Sequence, residues 1–221
     1  VSCVLTKMNT SWDNGVQTYT YNNKGNITDL TSVSNGTTRV RSFNYDGNDR
    51  MVKEEISVNG ELQEYIVFTY TNGLVSKREW FDASGQPKRY QTSSYDANGR
   101  MTEYNRYTGS KVEKGVLAYT AEGNIATHTV YVDGELSSTL TYQNYDDKKY
   151  YQTAVKGLPL SGVSANKNNY RKLTQVIQTS NGPETREFLY EYTYNEHGYP
   201  TREVETLEGE QYTYDLSYEC K

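Results

Sequence analysis

A unit of about 24 residues recurs along most of this 221-residue chain, and it consists of short extended segments joined by tight turns. Its clearest copy is Tyr95-Asp96-Ala97-Asn98-Gly99-Arg100-Met101. Tyr95 closes one strand. Asp96 and Asn98 accept turn geometry and can bond their own backbone, and Gly99 supplies the positive φ that other residues resist. The next strand begins at Met101. Further copies are Tyr19-Thr20-Tyr21-Asn22 with Gly25 and Ile27, Leu117-Ala118-Tyr119 with Gly123 and Ile125, and Tyr192-Thr193-Tyr194-Asn195 with Gly198. Phe43 to Met51, Phe68 to Leu74 and Leu140-Thr141-Tyr142 are weaker ones. The second aromatic falls at 21, 45, 70, 95, 119 and 142, spacings of 24, 25, 25, 24 and 23.

A second turn separates successive copies, at Asn35-Gly36, Asn59-Gly60, Ser84-Gly85, Thr108-Gly109, Asp133-Gly134, Asn181-Gly182 and Glu208-Gly209. Asn-Gly and Asp-Gly between alternating segments are strong hairpin signals. Each period is therefore two strands and two turns, a unit that cannot bury a face alone and must pair with its neighbours. The pattern predicts an all-β fold: one antiparallel up-and-down meander of about 16 strands over residues 1–221, closing or nearly closing into a barrel. Twelve strands fill 1–145, and four closing strands fill 172–221. Alternation along the strands is clearest in Leu62, Glu64, Ile66, Phe68 and Tyr70 on one face, with Gln63, Tyr65, Val67 and Thr69 on the other.

Between them, 146–171 breaks the pattern. Asp146 to Lys156 reads as a short helix ending at Gly157, and Pro159 forces irregular backbone after it. A connection this long has work to do in a compact domain. Val155, Leu158, Leu160 and Val163 are expected to plug the barrel; a functional lid is the alternative, and Asn166 to Asn169 reads as polar loop.

Leu, Ile, Val and Phe number only 39, which taken alone points toward disorder, but 23 tyrosines reverse that reading. A tyrosine buries a large ring while its hydroxyl seeks a partner, so the interior should be aromatic and partly polar. The net charge of −5 is mild and both signs are interspersed, which leaves no nucleic-acid or polybasic membrane footprint. No stretch has the length of a membrane helix. A membrane-spanning barrel needs an outward apolar band, whereas Arg202-Glu203 and Lys88-Arg89 put charge on both faces at one level.

Cys3 opens the first strand and Cys220 closes the last. An even strand count makes these two strands antiparallel neighbours if the sheet closes, with a disulfide to join them and an oxidising compartment implied. Two free thiols, or a lipidated Cys3, are the other readings. No leader peptide opens the chain, so a targeting segment is expected to be removed or absent.

The units resemble those of the YD-repeat class, which read Tyr-x-Tyr-Asp/Asn, a short spacer, Gly, Arg or Asn, then an aliphatic. Tyr95 to Met101 fits closely, Tyr21 to Ile27 and Tyr119 to Ile125 fit well, and Tyr45 to Met51 lacks the glycine at its usual place. With a period near 24, the Gly-x-Pro interruption and the terminal cysteines, the chain looks more like a group of Bacteroidetes envelope proteins of unknown function. That resemblance implies a porin-like β-barrel and supplies no catalytic residue.

Chemistry is sparse. His128 lies in a strand and His197 in a turn, neither with a sequence-near metal partner, so no metal or cofactor is expected. No nucleophile elbow, phosphate loop or dinucleotide fingerprint occurs. The candidate binding residues are aromatic: Trp80 and Phe81, consecutive on a strand and so on opposite faces, and Tyr150 and Tyr151 in the insertion. The expected protein is a monomeric, non-enzymatic binding or structural module, secreted, periplasmic or anchored at the outer membrane, with a glycan or an envelope protein as partner and no nucleic acid. A carrier of a small amphipathic ligand in a Tyr-lined lumen, and a hydrolase using lumen carboxylates, are the alternatives.

Overall fold

The computed structural model describes residues 2–159 and 165–221. The strands are β1 (Cys3–Thr10), β2 (Val16–Tyr21), β3 (Ile27–Ser34), β4 (Thr37–Tyr45), β5 (Met51–Val58), β6 (Glu61–Thr71), β7 (Leu74–Asp82) and β8 (Pro87–Tyr95). They continue as β9 (Met101–Thr108), β10 (Lys111–Tyr119), β11 (Ile125–Val132), β12 (Glu135–Tyr145), β13 (Tyr170–Thr179), β14 (Gly182–Tyr194), β15 (Pro200–Leu207) and β16 (Glu210–Cys220). Each pairs antiparallel with the next, and β1 pairs with β16, so the meander is a closed barrel. Cys3 and Cys220 are directly opposed in that last pairing and are joined by a disulfide, with their Cα atoms 4.0 Å apart. The bridge occupies both sulfurs, which sets aside the free-thiol and lipidated-Cys3 readings for this structure.

Odd strands start, and even strands finish, at one end of the barrel, called the seam end because the Cys3–Cys220 bridge lies there. The other end is the mouth. In all eight hairpins that turn at the mouth, a tyrosine near the end of the even strand donates its hydroxyl to a carbonyl at or near the start of the odd strand. The pairs are Tyr21 to Leu5, Tyr45 to Ile27, Tyr70 to Met51, Tyr95 to Val75, Tyr119 to Met101, Tyr145 to Ile125, Tyr192 to Tyr170 and Tyr218 to Pro200, all between 2.6 and 3.0 Å. The repeated tyrosine thus buries its ring and satisfies its phenol in one position. The sixth copy uses Tyr145 rather than Tyr142, and the seventh uses Tyr192, while the Tyr194 hydroxyl bonds the Asp146 carboxylate. Tyr119→Phe keeps the ring and leaves the Met101 carbonyl without its donor. It is expected to lower the unfolding free energy by about 1 kcal/mol in a denaturant titration; no measurable change would show that the clamp is idle.

The Asp or Asn that follows closes the turn. Asp96 Oδ1 accepts the backbone N–H groups of Asn98 and Arg100, each at 2.9 Å. Arg100 returns its Nε to Asp96 Oδ2 at 2.8 Å and lies 4.7 Å from the centre of the Tyr119 ring. Around β7 the two turn types trade ends: Asn72-Gly73 turns at the seam end, and at the mouth Asp82 Oδ1 accepts from the N–H groups of Ser84 and Gln86.

β-bulges recur beside these tyrosines. Tyr21 opposes Ile27 while Thr20 opposes Asp29, leaving Thr28 extra, and the same shift occurs at Tyr45, Tyr70, Tyr95, Tyr119 and Tyr194. Counted from the residue opposite the tyrosine, the inward residues of an odd strand therefore fall first, fourth and sixth, as in Met51, Glu54, Ile56 and in Val75, Arg78, Trp80. A further bulge leaves Gln63 extra, which turns Leu62 away from the Glu64, Ile66, Phe68 face; Leu62 is exposed. Strict alternation failed there because one inserted residue reverses the parity.

The insertion closes the seam end. The expected helix from Asp146 to Lys156 is one 3-10 turn, Tyr151–Ala154, because the chain is spent on bonds to the barrel rather than to itself. Ile27 N–H donates to the Lys156 carbonyl at 2.9 Å and Ile125 N–H to Asn166 Oδ1 at 2.8 Å. Asn124 Oδ1 accepts from the N–H groups of Lys167 and Asn168. Asn166 and Asn169, read from the sequence as polar loop, are among the most buried side chains described. Gly157, at φ 97°, has no room for a side chain: a Cβ would stand 2.5 Å from the Tyr45 hydroxyl. Val155 is buried and Leu158 packs against the core, as expected of a plug; Leu160 and Val163 lie outside the described residues.

Buried residues form two clusters. One joins β1 to β7 with β16 and the insertion, around Leu5, Ile27, Met51, Phe68 and Val155; the other spans β9 to β14, around Met101, Ile125, Tyr142 and Tyr190. The outer wall carries partly exposed ion pairs, within a strand for Lys53 with Glu55 and Lys77 with Glu79, and between β10 and β9 for Lys114 with Glu103.

Candidate functional site

The barrel interior is polar as well as aromatic. Arg41 Nε bonds Glu54 Oε1 at 2.6 Å, and Arg106 bonds Glu113 at 3.0 Å and Gln91 at 3.2 Å. The Tyr104 hydroxyl bonds Glu113 and lies 3.3 Å from His128 Nε2. Burial lowers the His128 pKa, so its imidazole is neutral at pH 7. Elsewhere on the wall Glu203 and Glu205 of β15 sit two apart on one face, across from Tyr192 and Tyr190 of β14. Desolvation, then the Glu205 charge, pushes Glu203 up to about 8.

Space remains at the mouth. A cavity of about 540 Å³ opens there between β1, β2, β3, β4 and β16, within the usual range for small-ligand sites. Its floor is the insertion, through Tyr151, Gln152, Val155 and Leu158, with Met8 and Leu30 beside them. Its walls carry Gln17, Tyr19, Ser32, Arg39, Arg41 and Tyr214, and its lip carries Trp12 and Asp13. The arrangement is amphipathic, with an apolar floor, hydrogen-bonding walls and an aromatic lip.

The local bonds set what each group can offer. Asp13 accepts from the Thr10 hydroxyl and from Gly15 N–H, and the Thr10 bond above all holds its carboxyl below the usual range. Tyr19 donates to Gln17 Oε1 at 2.9 Å. Glu54 fixes Arg41 through Nε and leaves the guanidinium partly exposed, at 37%. Gln152 Nε2 donates to the Tyr151 hydroxyl, while Gln152 Oε1 is buried and accepts no hydrogen bond from the described residues. Trp12, at 62% exposure, has the most exposed of the large hydrophobic side chains described.

Of the four aromatics singled out in the sequence, Tyr151 lines this cavity. Trp80 and Phe81 do point to opposite faces: Trp80 is buried inside with Arg89 5.0 Å from its ring, and Phe81 stacks outside on Tyr65 at 5.0 Å. Tyr150 is buried in the seal at the other end, against Tyr151. Trp12 was not among them; it stands just beyond β1, which ends at Thr10. A tryptophan immediately before an Asp-Asn-Gly turn was the available signal.

No protein-family model matches the chain, and no curated protein matches it. Among solved structures, it is similar to a porin-like protein from Bacteroides uniformis, with a TM-score of 0.62 and 16% identity over 97% of this chain and 98% of that one. A porin-like protein from Bacteroides vulgatus aligns over the same shares at a TM-score of 0.44 and 12% identity. What the chain shares with the first of these, over nearly the whole length of both, is the fold: a porin-like β-barrel.

Proposed function

We propose that the protein is a non-enzymatic binding module of the bacterial envelope, and that its site is the mouth cavity. The ligand is a small ring-bearing, polyhydroxylated molecule, the class to which the terminal sugars of a glycan belong. The observation that carries this reading is the pairing, in one cavity of about 540 Å³, of an exposed Trp12 with the partly exposed Arg41. An aromatic face stacks on a ring, and a guanidinium presents several N–H donors to hydroxyl oxygens. Gln17 and Asp13 supply further polar groups around it.

A hydrolase would need two carboxylates flanking a bond. Among the described lining residues the carboxylate is that of Asp13, already engaged in its turn, and Glu203 and Glu205 are not part of the lining. The terminal disulfide supports an oxidising compartment outside the cytoplasm. The charge pairs on the outer wall support a barrel bathed in water rather than lipid, since outward Lys and Glu in mid-strand are costly in a bilayer.

Titration calorimetry against a panel of mono- and disaccharides tests the reading. Binding is expected to weaken about tenfold or more in Trp12→Ala, with thermal stability little changed, and to weaken also in Arg41→Gln. A panel that does not bind, or affinities indifferent to both substitutions, would sink it.

A further inference from the structure

At the seam end, opposite the mouth cavity, Cys3 of β1, Cys220 of β16 and His197 of the β14–β15 turn place their sulfur and nitrogen atoms within 4.8 Å of one another. We propose that, once the disulfide is reduced, these three residues form a zinc site that holds the barrel closed. Thiolate and imidazole are the donor set zinc prefers, with Zn–S of about 2.3 Å and Zn–N of about 2.0–2.1 Å. Ligand atoms around such an ion stand about 3.5–3.8 Å apart, so from within 4.8 Å His197 needs an approach of no more than about 1 Å. The two sulfurs separate by side-chain rotation, because Ser2 and Lys221 keep the strands paired through reciprocal N–H to carbonyl bonds of 2.9 and 3.0 Å.

The histidine is held for this contact. Asn195 Oδ1 accepts from the backbone N–H groups of His197 and Tyr199, each at 3.0 Å, which fixes the turn. Glu196 has its carboxylate 3.5 Å from His197 Nε2, close enough to orient the ring in the way carboxylates commonly do beside metal-bound histidines. Cys3 and Tyr199 are buried, and Tyr199 packs on Tyr218 with ring centres 5.3 Å apart, while Cys220 is half-buried and leaves the site open to water on its own side. A water molecule completes the coordination in place of a fourth side chain.

The chemistry balances. A dithiol reductant passes two electrons and two protons to the bridge and becomes a cyclic disulfide, leaving two thiols on the protein. Zinc then binds two thiolates and a neutral imidazole, and two protons are released. With the bridge oxidised the sulfurs are spent on each other and the site does not exist. The seam therefore has two alternative fasteners, one covalent and one metallic.

Cobalt substitution tests this in the full chain, reduced with a phosphine, which leaves as its oxide without competing for metal. Reduced protein is expected to take up one Co²⁺ with a thiolate-to-cobalt charge-transfer band and visible bands of tetrahedral intensity, bleached by Zn²⁺. His197→Ala should weaken cobalt binding by about tenfold or more, and Cys3→Ser and the oxidised protein should show no such band. Zinc should also raise the melting temperature of the reduced protein but not of the oxidised one. Equal cobalt affinity in His197→Ala, or the same band persisting in urea-unfolded chain, overturns the proposal.

Discussion

With metal excluded by a chelator, the double substitution Cys3→Ser and Cys220→Ser is expected to lower the unfolding free energy by about 5 kcal/mol. The bridge spans 217 residues, nearly the whole chain, so it removes close to the largest loop-closure entropy that one cross-link in a protein of this size can remove. It also sits where the meander would otherwise have a free edge, between β1 and β16. Denaturant titration of wild type and variant, each followed by near-ultraviolet circular dichroism, reads the difference. A loss under 1 kcal/mol would show that strand pairing alone closes the barrel.

The second large effect has the opposite sign. Glu203 faces the interior between Tyr192 and Tyr214 and titrates near 8, far above an unfolded glutamate. Its folded form holds a proton that the unfolded chain gives up near pH 4.5, so the stability linked to this residue is complete below about pH 4.5. That stability falls as pH rises and is fully lost by about pH 8. Glu205 beside it, also raised by burial, pulls in the same direction. Glu203→Gln removes the titration, and at pH 7 the variant is expected to be more stable than wild type by about 3 kcal/mol, from roughly 2.5 pH units at 1.36 kcal/mol each. Melting temperatures from pH 5 to 9 check this: the wild-type curve should decline where the variant's is flatter. Parallel curves would mean that Glu203 is solvated and ordinary.

The fold was legible because its instructions are local. Asn-Gly and Asp-x-x-Gly turns state where strands end, the tyrosine spacing states the repeat, and an even strand count with cysteines at both ends states how the sheet closes. What escaped the sequence depends on contacts between distant residues. The parity of Leu62 turns on one bulged residue, and Asn166 and Asn169 look like loop residues until the backbone groups they serve are known. The insertion looked helical in isolation and is drawn out by bonds to Ile27 and Ile125. The site was less legible still. Tyr151 was singled out, but the cavity gathers residues from five strands, a turn and the insertion, and only the closed barrel makes Trp12, Arg41 and Gln152 neighbours.

Seven of the eight junctions at the seam end are made by the polypeptide itself, through its turns and the insertion, and the eighth is made by the disulfide. Covalently, then, the stretch from Cys3 to Cys220 is a closed ring. A ring has no first strand: a backbone cut in any one turn leaves one connected molecule and merely changes where the chain begins. To a protease, a single nick in such a ring is a change of numbering rather than a loss of a piece.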